Sequence, residues 1–167
     1  SRLVVSARYG AKTRGAKAWT KFTWEDFLAG GAFVTVAGDT KVLDTSVVYP
    51  SCNSRSGLPV VFSLQDLAIA EEASFNATMR GWTYVSADLT YYGYGNDGTQ
   101  KGGSYGGLGG GSPAASKVYG YPNAPFMPGS PGGFAGYSPG AGGGAVRIDA
   151  KDIALDGKIY ADGVQSG

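Results

Sequence analysis

Hydrophobic and polar positions alternate over short segments in the first third of the chain, which predicts β-strands. Segments rich in β-branched and aromatic residues and bounded by Gly, Pro or Asp are typical of strands. The predicted strands cover residues 3–9, 32–36, 42–49 and 60–64. One short helix is expected over residues 23–31, because Thr23 suits an N-cap with Asp26 three positions later, and Gly30 with Gly31 provides a left-handed stop.

Two later stretches repeat one pattern. Residues 61–69 and 146–155 both end in Asp, an aliphatic residue, Ala and a second aliphatic residue, and residues 73–77 match 157–161 at an offset of 84. Each copy is predicted to form two short strands joined by an acidic turn. The second copy alternates as such strands do, with apolar side chains at Ile148, Ile153, Leu155 and Ile159 and charged ones at Asp149, Lys151 and Lys158.

A pair of short strands cannot bury its one apolar face alone, but a similar pair stacked on it can, which is the principle of a β-solenoid. We therefore expect a mainly β fold. A β-solenoid or β-helix-like core is predicted over residues 60–167, preceded by a small β-rich N-terminal region with the short helix over residues 1–59. The alternative is an ordinary hairpin in a β-sandwich, in which the repeat is a coincidence of alternating patterns.

Composition sets residues 82–144 apart from the rest of the chain. The sequence holds 29 Gly, 11 Tyr and 8 Pro, and 19 of those glycines lie in this segment. We expect an ordered Gly/Tyr/Pro-rich excursion from the solenoid, mostly without helix or regular strand. Extended glycine runs need partners for their amide groups, so several runs are expected to pack side by side and bond to one another.

The tyrosines of this excursion are the candidate interaction surface. A tyrosine joins an apolar ring to a hydroxyl that needs a partner, and many such rings in a low-charge segment suit stacking on sugar rings or on a neighbouring subunit. The alternative is that the rings cover the flank of the chain's own core. The candidates are Tyr91, Tyr92, Tyr94, Tyr105, Tyr119 and Tyr121.

The charge balance and the absence of histidine argue against several function classes. A net charge of +1 provides no field that attracts nucleic acid or anionic lipid. No apolar run approaches the roughly 18 residues of a membrane helix. Histidine is absent and Cys52 is the one cysteine, so the common acid–base group and multi-cysteine metal sites are missing. We expect no cofactor, no nucleic-acid partner, no membrane insertion and no enzymatic activity.

The remaining candidate chemistry lies in the second copy and at one sequon. A β-helix enzyme acting on polysaccharides would need clustered acidic and basic groups, although solvent-facing strand positions carry the same charges. Asn76, in the only Asn-x-Thr sequon, is the candidate glycosylation site. The clustered ionisable groups are Arg147, Asp149, Lys151, Asp152, Asp156, Lys158 and Asp162.

Several motifs resemble glycine-rich modules of right-handed β-helices in large secreted or surface proteins. These motifs are the glycine run at 102–110, Pro-Gly-Ser-Pro-Gly-Gly at 128–133, the triple glycine that opens 142–150, and the segment 155–163 with its Ile-Tyr-Ala-Asp-Gly ending. The resemblance covers about residues 60–167. It implies a right-handed parallel β-helix with a glycine-rich loop, an extracellular or cell-surface location, and a structural, adhesive or carbohydrate-associated role.

The last predicted strands point to self-association. They stop at Gly167 without a cap, and unpaired strand edges recruit another chain. Either the chain is a fragment or it polymerises, with the strand containing Leu3, Val4, Val5 and Tyr9 as the candidate donor to the next subunit.

The expected function is therefore a non-enzymatic extracellular structural protein that acts as a self-assembling filament subunit or a surface scaffold. The first alternative is an adhesin or carbohydrate-binding module that uses the tyrosine-rich surface, with a glycan as its ligand. The second alternative is the polysaccharide-active β-helix enzyme.

Overall fold

The fold of this chain is mainly β, as predicted. A computed structural model describes residues 2–6, 32–53, 57–85, 90–91, 102–111, 118–120, 126–133 and 140–164, and within these ranges it contains no helix. The helix expected over residues 23–31 lies outside them. The strands are β1 (Arg2–Ser6), β2 (Ala32–Val42), β3 (Val47–Ser51), β4 (Val60–Ile69), β5 (Ser74–Asn76), β6 (Tyr84–Val85), β7 (Thr90–Tyr91), β8 (Val146–Leu155) and β9 (Lys158–Tyr160).

Most of these strands form two parallel sheets between which the chain alternates. One sheet has the order β1-β3-β5-β9 and the other has the order β2-β4-β8, while β6 and β7 form an antiparallel pair. Each strand of the three-stranded sheet is followed in the chain by a strand of the four-stranded sheet. We call each such consecutive pair a rung: rung 1 is β2 with β3, rung 2 is β4 with β5, and rung 3 is β8 with β9.

The repeat detected in the sequence brings its two copies side by side. β4 pairs with β8 so that Asp66 lies opposite Asp152 and Ile69 opposite Leu155. β5 pairs with β9 so that Phe75 lies opposite Ile159, which preserves the predicted offset of 84. Rung 3 therefore repeats the sequence pattern of rung 2, and its two strands pair directly with the two strands of rung 2.

The prediction of one strand over residues 42–49 is wrong, because a turn divides it. β2 ends at Val42 and β3 begins at Val47, and between them the Ser46 N–H donates a hydrogen bond to the Leu43 carbonyl at 3.0 Å. Thr45 has a φ of 61°, in the left-handed region that a strand does not use. The turn therefore moves the chain from one sheet to the other.

β2 extends past its predicted end at residue 36, and β4 continues to Ile69 as the repeat predicted, because both strands change face without stopping. In β4, Leu64 and Leu67 are both buried and the exposed Gln65 lies between them. In β2 a register shift falls at the same place, between Val36 and Asp39. The positions that face the core shift by one residue there, so the alternating pattern is interrupted in the sequence although the strand continues.

The core is built from corresponding positions of successive rungs. The rings of Phe62 and Phe75, from different sheets, meet edge to face with centroids 5.2 Å apart. Burying this apolar surface is the main term that stabilises the stack. Residues on both sides of the predicted domain boundary at 59 and 60 share both sheets and this core. Its buried members are Val42, Val48, Val60, Phe62, Leu64, Leu67, Ile69, Ala73 and Phe75.

Candidate functional site

Rung 3 is the last rung that the structure describes, and its apolar side chains are exposed. Each of three exposed residues lies beside a buried residue of rung 2: Ile153 beside Leu67, Leu155 beside Ile69, and Ile159 beside Phe75. The rung 2 members are at most 2% exposed, whereas those of rung 3 are 44% to 51% exposed. Register partners point to the same side of a sheet. The difference arises because, among the described strands, those of rung 3 have a neighbour on one side only. We call this surface, which also includes Tyr160 and Val164, the open end.

The opposite end of the stack is covered in part. In rung 1, Val42 lies beside Ile69 and Val48 beside Phe75, and both valines are only 7% exposed. β1 pairs with β3 and adds a strand beyond rung 1 in the four-stranded sheet, whereas β2 is the last described strand of its sheet. Phe33 and Val36 on β2 are 40% and 36% exposed, and Leu43 in the turn after β2 is 65% exposed. Exposed apolar side chains therefore occur at both described ends.

Glycine runs of the excursion pack against one another beside the stack. The Gly81 N–H donates to the Gly142 carbonyl at 2.9 Å, and the Gly129 N–H donates to the Gly143 carbonyl at 2.8 Å. A Cβ on Gly81 would lie 2.8 Å from the Gly142 oxygen and 2.9 Å from the Gly129 oxygen, closer than side-chain carbons approach. The predicted packing of hydrogen-bonded glycine runs is confirmed for these residues.

A groove of about 630 Å³ lies where these runs meet rung 3. The excursion lines it with Gly103, Ser104 and Tyr105 among others, and the end of the stack lines it with Ile159 and Val164. The described lining carries no carboxylate, amine or thiol, so it provides shape, backbone groups and hydroxyls. The groove is continuous with the open end through these two aliphatic residues.

Tyr105 and Tyr119 belong to an aromatic cluster with Trp82. The ring centroids lie 5.0 Å apart for Trp82 and Tyr119 and 4.9 Å apart for Tyr105 and Tyr119. The Tyr119 hydroxyl donates to the Pro128 carbonyl at 2.7 Å and accepts a hydrogen bond from the Ser130 hydroxyl at 3.0 Å. Burial raises the pKa of Tyr119 above its ordinary value. Both the ring and the hydroxyl of Tyr119 are therefore engaged within the chain.

The structure brings only part of the predicted tyrosine surface together. Tyr105 and Tyr119 are neighbours, while Tyr91 belongs to β7, where it lies opposite Tyr84. The other candidates, Tyr92, Tyr94 and Tyr121, lie outside the described residues. The use of these tyrosines as an interaction surface stays a prediction.

The candidate donor strand is paired within its own chain. β1 lies parallel to β3, with Leu3 opposite Val48 and Val4 opposite Tyr49. Val5 continues the pairing, and Tyr9 lies outside the described residues. β1 is therefore the outermost described strand of its sheet and uses one of its two edges for β3.

The candidate glycosylation residue Asn76 lies in β5, opposite Tyr160 of β9. Its side chain is half-buried, and its Oδ1 atom accepts a hydrogen bond from the Thr78 N–H at 3.0 Å. The sequon therefore forms a local turn in which the asparagine already has a partner.

The charged side chains of rung 3 lie on its outer face. Arg147 and Asp149 form a salt bridge with 3.1 Å between Nη2 and Oδ2, and their side chains are 44% and 50% exposed. Lys151, Asp152 and Lys158 are also exposed. In the described part of the chain, no three His, Cys, Asp or Glu side chains form a group able to hold a metal ion. This distribution is typical of solvent-facing strand positions.

Cys52, the residue after β3, is hydrogen-bonded to Ala145, the residue before β8. Its Sγ atom accepts a hydrogen bond from the Ala145 N–H at 3.2 Å, and the side chain is only 7% exposed. Burial raises the pKa of the Cys52 thiol to about 11, so the thiol is neutral at physiological pH. A disulfide to another subunit would require this packing to open.

Comparisons with known proteins found no match. No family model, curated protein or solved structure matches the chain. Over the part of the chain that the structure describes, there is also no helix with the length and apolar character needed to cross a membrane. The open end is therefore interpreted from its own residues.

Sequence reasoning missed that rung 1 belongs to the same stack. Asp39 lies beside Asp66, which in turn lies beside Asp152. Each of these aspartates is followed three residues later by a buried or open-end aliphatic residue, so the repeat is present in three copies. The extra residue before Asp39, next to Gly38, shifts the first copy by one position and hides it. An alignment that allows one inserted residue would have found it.

Proposed function

We propose that this chain is a non-enzymatic, extracellular structural protein that assembles through its open end, as a filament subunit or a surface scaffold. We further propose that its two parallel sheets form a β-solenoid. The alternation of the chain between sheets, the in-register rungs and the shared core support this architecture, because each rung buries its apolar face only against the next one.

The observation that carries the proposal is the exposure of Ile153, Leu155 and Ile159 at positions that are buried in rung 2. Exposed apolar side chains at a strand edge that no described strand pairs with favour association with another chain. The extracellular location rests on the resemblance of residues 60–167 to secreted glycine-rich modules.

Sedimentation velocity over a range of protein concentrations, with electron microscopy of the same samples, tests the proposal. We expect the wild-type chain to form assemblies and the Ile153→Lys variant to remain monomeric, because a buried lysine at the contact would lose its hydration. The matched control is Leu108→Lys, since Leu108 is 47% exposed in the excursion and does not belong to the open end. A wild-type chain that stays monomeric at high concentration would contradict the proposal.

A further inference from the structure

The outer face of the four-stranded sheet carries an arginine that has no counter-charge in the described chain. Arg80 is half-buried, and its Nη1 atom donates a hydrogen bond to the Ser51 Oγ atom at 2.8 Å. Its Cζ atom lies 4.6 Å from the centroid of the Tyr49 ring, and its Nε atom is buried without a hydrogen-bond partner. Among the residues that the structure describes, no carboxylate forms an ion pair with Arg80. The guanidinium is therefore held in place while its charge is only partly compensated.

Arg80 lies over strands that are interior to their sheet. β3 has β1 and β5 as neighbours, and β5 has β3 and β9, so this face does not depend on either end of the stack. Phe75 of β5 points into the core, and the alternation of a strand therefore turns its neighbour Asn76 to the outer face. The face continues to Tyr160, which lies opposite Asn76 and also belongs to the open end. We call the following residues the outer-face site: Tyr49, Ser51, Asn76 and Arg80.

We propose that the outer-face site binds an acidic polysaccharide, with a sugar carboxylate on the Arg80 guanidinium. Hydrogen bonds between a guanidinium and a carboxylate are about twice as strong as those between neutral groups. Because the Tyr49 ring and the Ser51 hydroxyl already position the guanidinium, little rotamer freedom remains to be lost when a ligand binds. The site goes beyond the proposed assembly, whose apolar contacts lie on another surface.

The side chains around Arg80 suit a ligand that is rich in hydroxyl groups. The Oδ1 atom of Asn76 accepts a hydrogen bond from the Thr78 N–H, which leaves the Nδ2 group of the same amide as a donor. Tyr160 is 37% exposed and joins an apolar ring to a hydroxyl, so it can pack on the apolar face of a sugar ring. Ser74, on the same strand as Asn76, adds a half-buried hydroxyl.

Charge separates the two parallel sheets. None of β1, β3, β5 and β9 contains an acidic residue, whereas β9 contains the exposed Lys158. Asp162, two residues after β9, forms no ion pair with Arg80. The three-stranded sheet holds the aspartates of the described parallel strands, namely Asp39, Asp66, Asp149 and Asp152. An anionic ligand is therefore complementary to the four-stranded sheet and not to the other one.

Two other kinds of acidic partner fit this face less well. An extended peptide binds by adding to an unpaired strand edge, and both edges of β3 and of β5 are paired. A nucleic acid is held by several cations along its phosphates, whereas this sheet and the segment after β5 supply Arg2, Arg80 and Lys158. A polysaccharide of uronic acids carries spaced carboxylates among hydroxyl groups, and it needs neither a strand edge nor a continuous basic surface.

Isothermal titration calorimetry with uronic acid oligomers tests the proposal. The probes are oligomers of galacturonic, guluronic, mannuronic or glucuronic acid, and the full chain is produced in a host that adds no N-glycan to Asn76. We expect at least one oligomer to bind, and its methyl-esterified form, which lacks the charges, to bind at least about tenfold more weakly. Failure of all four acids to bind, or equal affinity for acid and ester, would overturn the proposal. Equally tight binding of polyglutamate would overturn the choice of a polysaccharide.

Substitution of Arg80 locates the site. Arg80→Gln should raise the dissociation constant about tenfold or more, and Arg80→Lys should also weaken binding, because lysine keeps the charge but not the planar donors. Lys151→Gln is the matched control, since it removes an exposed cation from the other sheet, and its affinity should equal that of the wild type. Equal losses in Arg80→Gln and Lys151→Gln would mean that binding follows net charge, and the outer-face site would be rejected.

Two exposed positions keep the test decisive if circular dichroism shows that the Arg80 variants do not fold. Lys158→Gln should weaken binding by about two- to fivefold, and Asp162→Asn should strengthen it by a similar factor, because they remove a favourable and an unfavourable charge beside the site. An affinity that responds to neither substitution would place the ligand elsewhere on the chain and overturn the proposal.

Discussion

Leu67 and Ile153 lie directly opposite each other on the parallel strands β4 and β8, yet Leu67 is 2% exposed and Ile153 is 51% exposed. The two side chains are of similar size and point to the same side of the sheet. Their difference in exposure therefore arises from position in the stack, since Leu67 has a described strand on both sides and Ile153 has one. The same position is a core residue in rung 2 and an exposed residue in rung 3.

The first prediction compares alanine substitutions at these two positions. Leu67→Ala should lower the free energy of unfolding by about 2–5 kcal/mol, because it leaves a cavity in a packed core. Ile153→Ala should lower it by less than about 1 kcal/mol in the monomer. Urea denaturation at a concentration where the chain is monomeric measures both values. Equal losses would mean that Ile153 is buried in the monomer.

The second prediction concerns the packed glycine runs. Gly81→Ala should destabilise the fold by about 1–3 kcal/mol or more, because the added Cβ would press on the carbonyl oxygens of Gly129 and Gly142. Gly110→Ala is the matched control, since a Cβ there has no atom within 4 Å, and it should change stability by no more than about 0.5 kcal/mol. Thermal denaturation followed by circular dichroism gives the comparison. Similar melting temperatures for both variants would contradict the packing.

The third prediction separates the hydroxyl of Tyr119 from its ring. Tyr119→Phe keeps the ring against Trp82 and Tyr105 but leaves the Pro128 carbonyl and the Ser130 hydroxyl without this partner. We expect a loss of about 1–3 kcal/mol in the free energy of unfolding.

Tyr160→Phe serves as the control for Tyr119→Phe, because Tyr160 is 37% exposed at the open end. Its effect on denaturant unfolding should stay within about 0.5 kcal/mol. If Tyr119→Phe is equally mild, the Tyr119 hydroxyl is not part of the structural network.

The fourth prediction is a loss of stability at alkaline pH that depends on Cys52. The thiol ionises near its ordinary pKa of 9.0 in the unfolded chain but only near 11 in the folded one. The folded state therefore holds the thiol proton more tightly than the unfolded state does. The contribution of Cys52 to the free energy of unfolding is constant below pH 9 and falls as the pH rises from 9 towards 11. The slope from this group is at most about 1.4 kcal/mol per pH unit.

Urea denaturation of the wild type and of Cys52→Ser between pH 8 and 11 isolates this contribution, because serine does not ionise in that range. We expect the difference in unfolding free energy between the two proteins to shrink as the pH rises. A difference that is independent of pH would show that the thiol is accessible to solvent in the folded state.

Much of the fold can be predicted from the sequence where core-facing and solvent-facing positions alternate without interruption. The pairing of rung 2 with rung 3 follows from the shared ending Asp66 to Ile69 and Asp152 to Leu155, which the structure places in register. The prediction failed where a turn or an extra residue interrupts this alternation. The left-handed Thr45 divides a segment that looks continuous, and the register shift between Val36 and Asp39 hides the first copy of the repeat.

The candidate site was less predictable than the fold, because exposure depends on neighbours that the sequence does not name. The alternating pattern predicts core positions for Ile148, Ile153 and Leu155, because it is the pattern of buried residues. The sequence left open whether the tyrosines form an interaction surface or cover the chain's own core, and Tyr119 lies against Trp82 with its hydroxyl paired. In both cases the side chain's chemistry was clear, and its surroundings were set by residues far away in the chain.

The sequence by itself determined that this protein is a β-rich chain with a repeated strand pattern, a glycine-rich excursion and no concentrated charge, because alternation, glycine content and charge are local properties. Only the tertiary structure decided how many rungs stack, which glycines are in contact and which apolar positions are left uncovered. These depend on register and on the order of strands in a sheet. Ile153 carries the same local signal as Leu67, and it is exposed because β8 is the outermost described strand of its sheet.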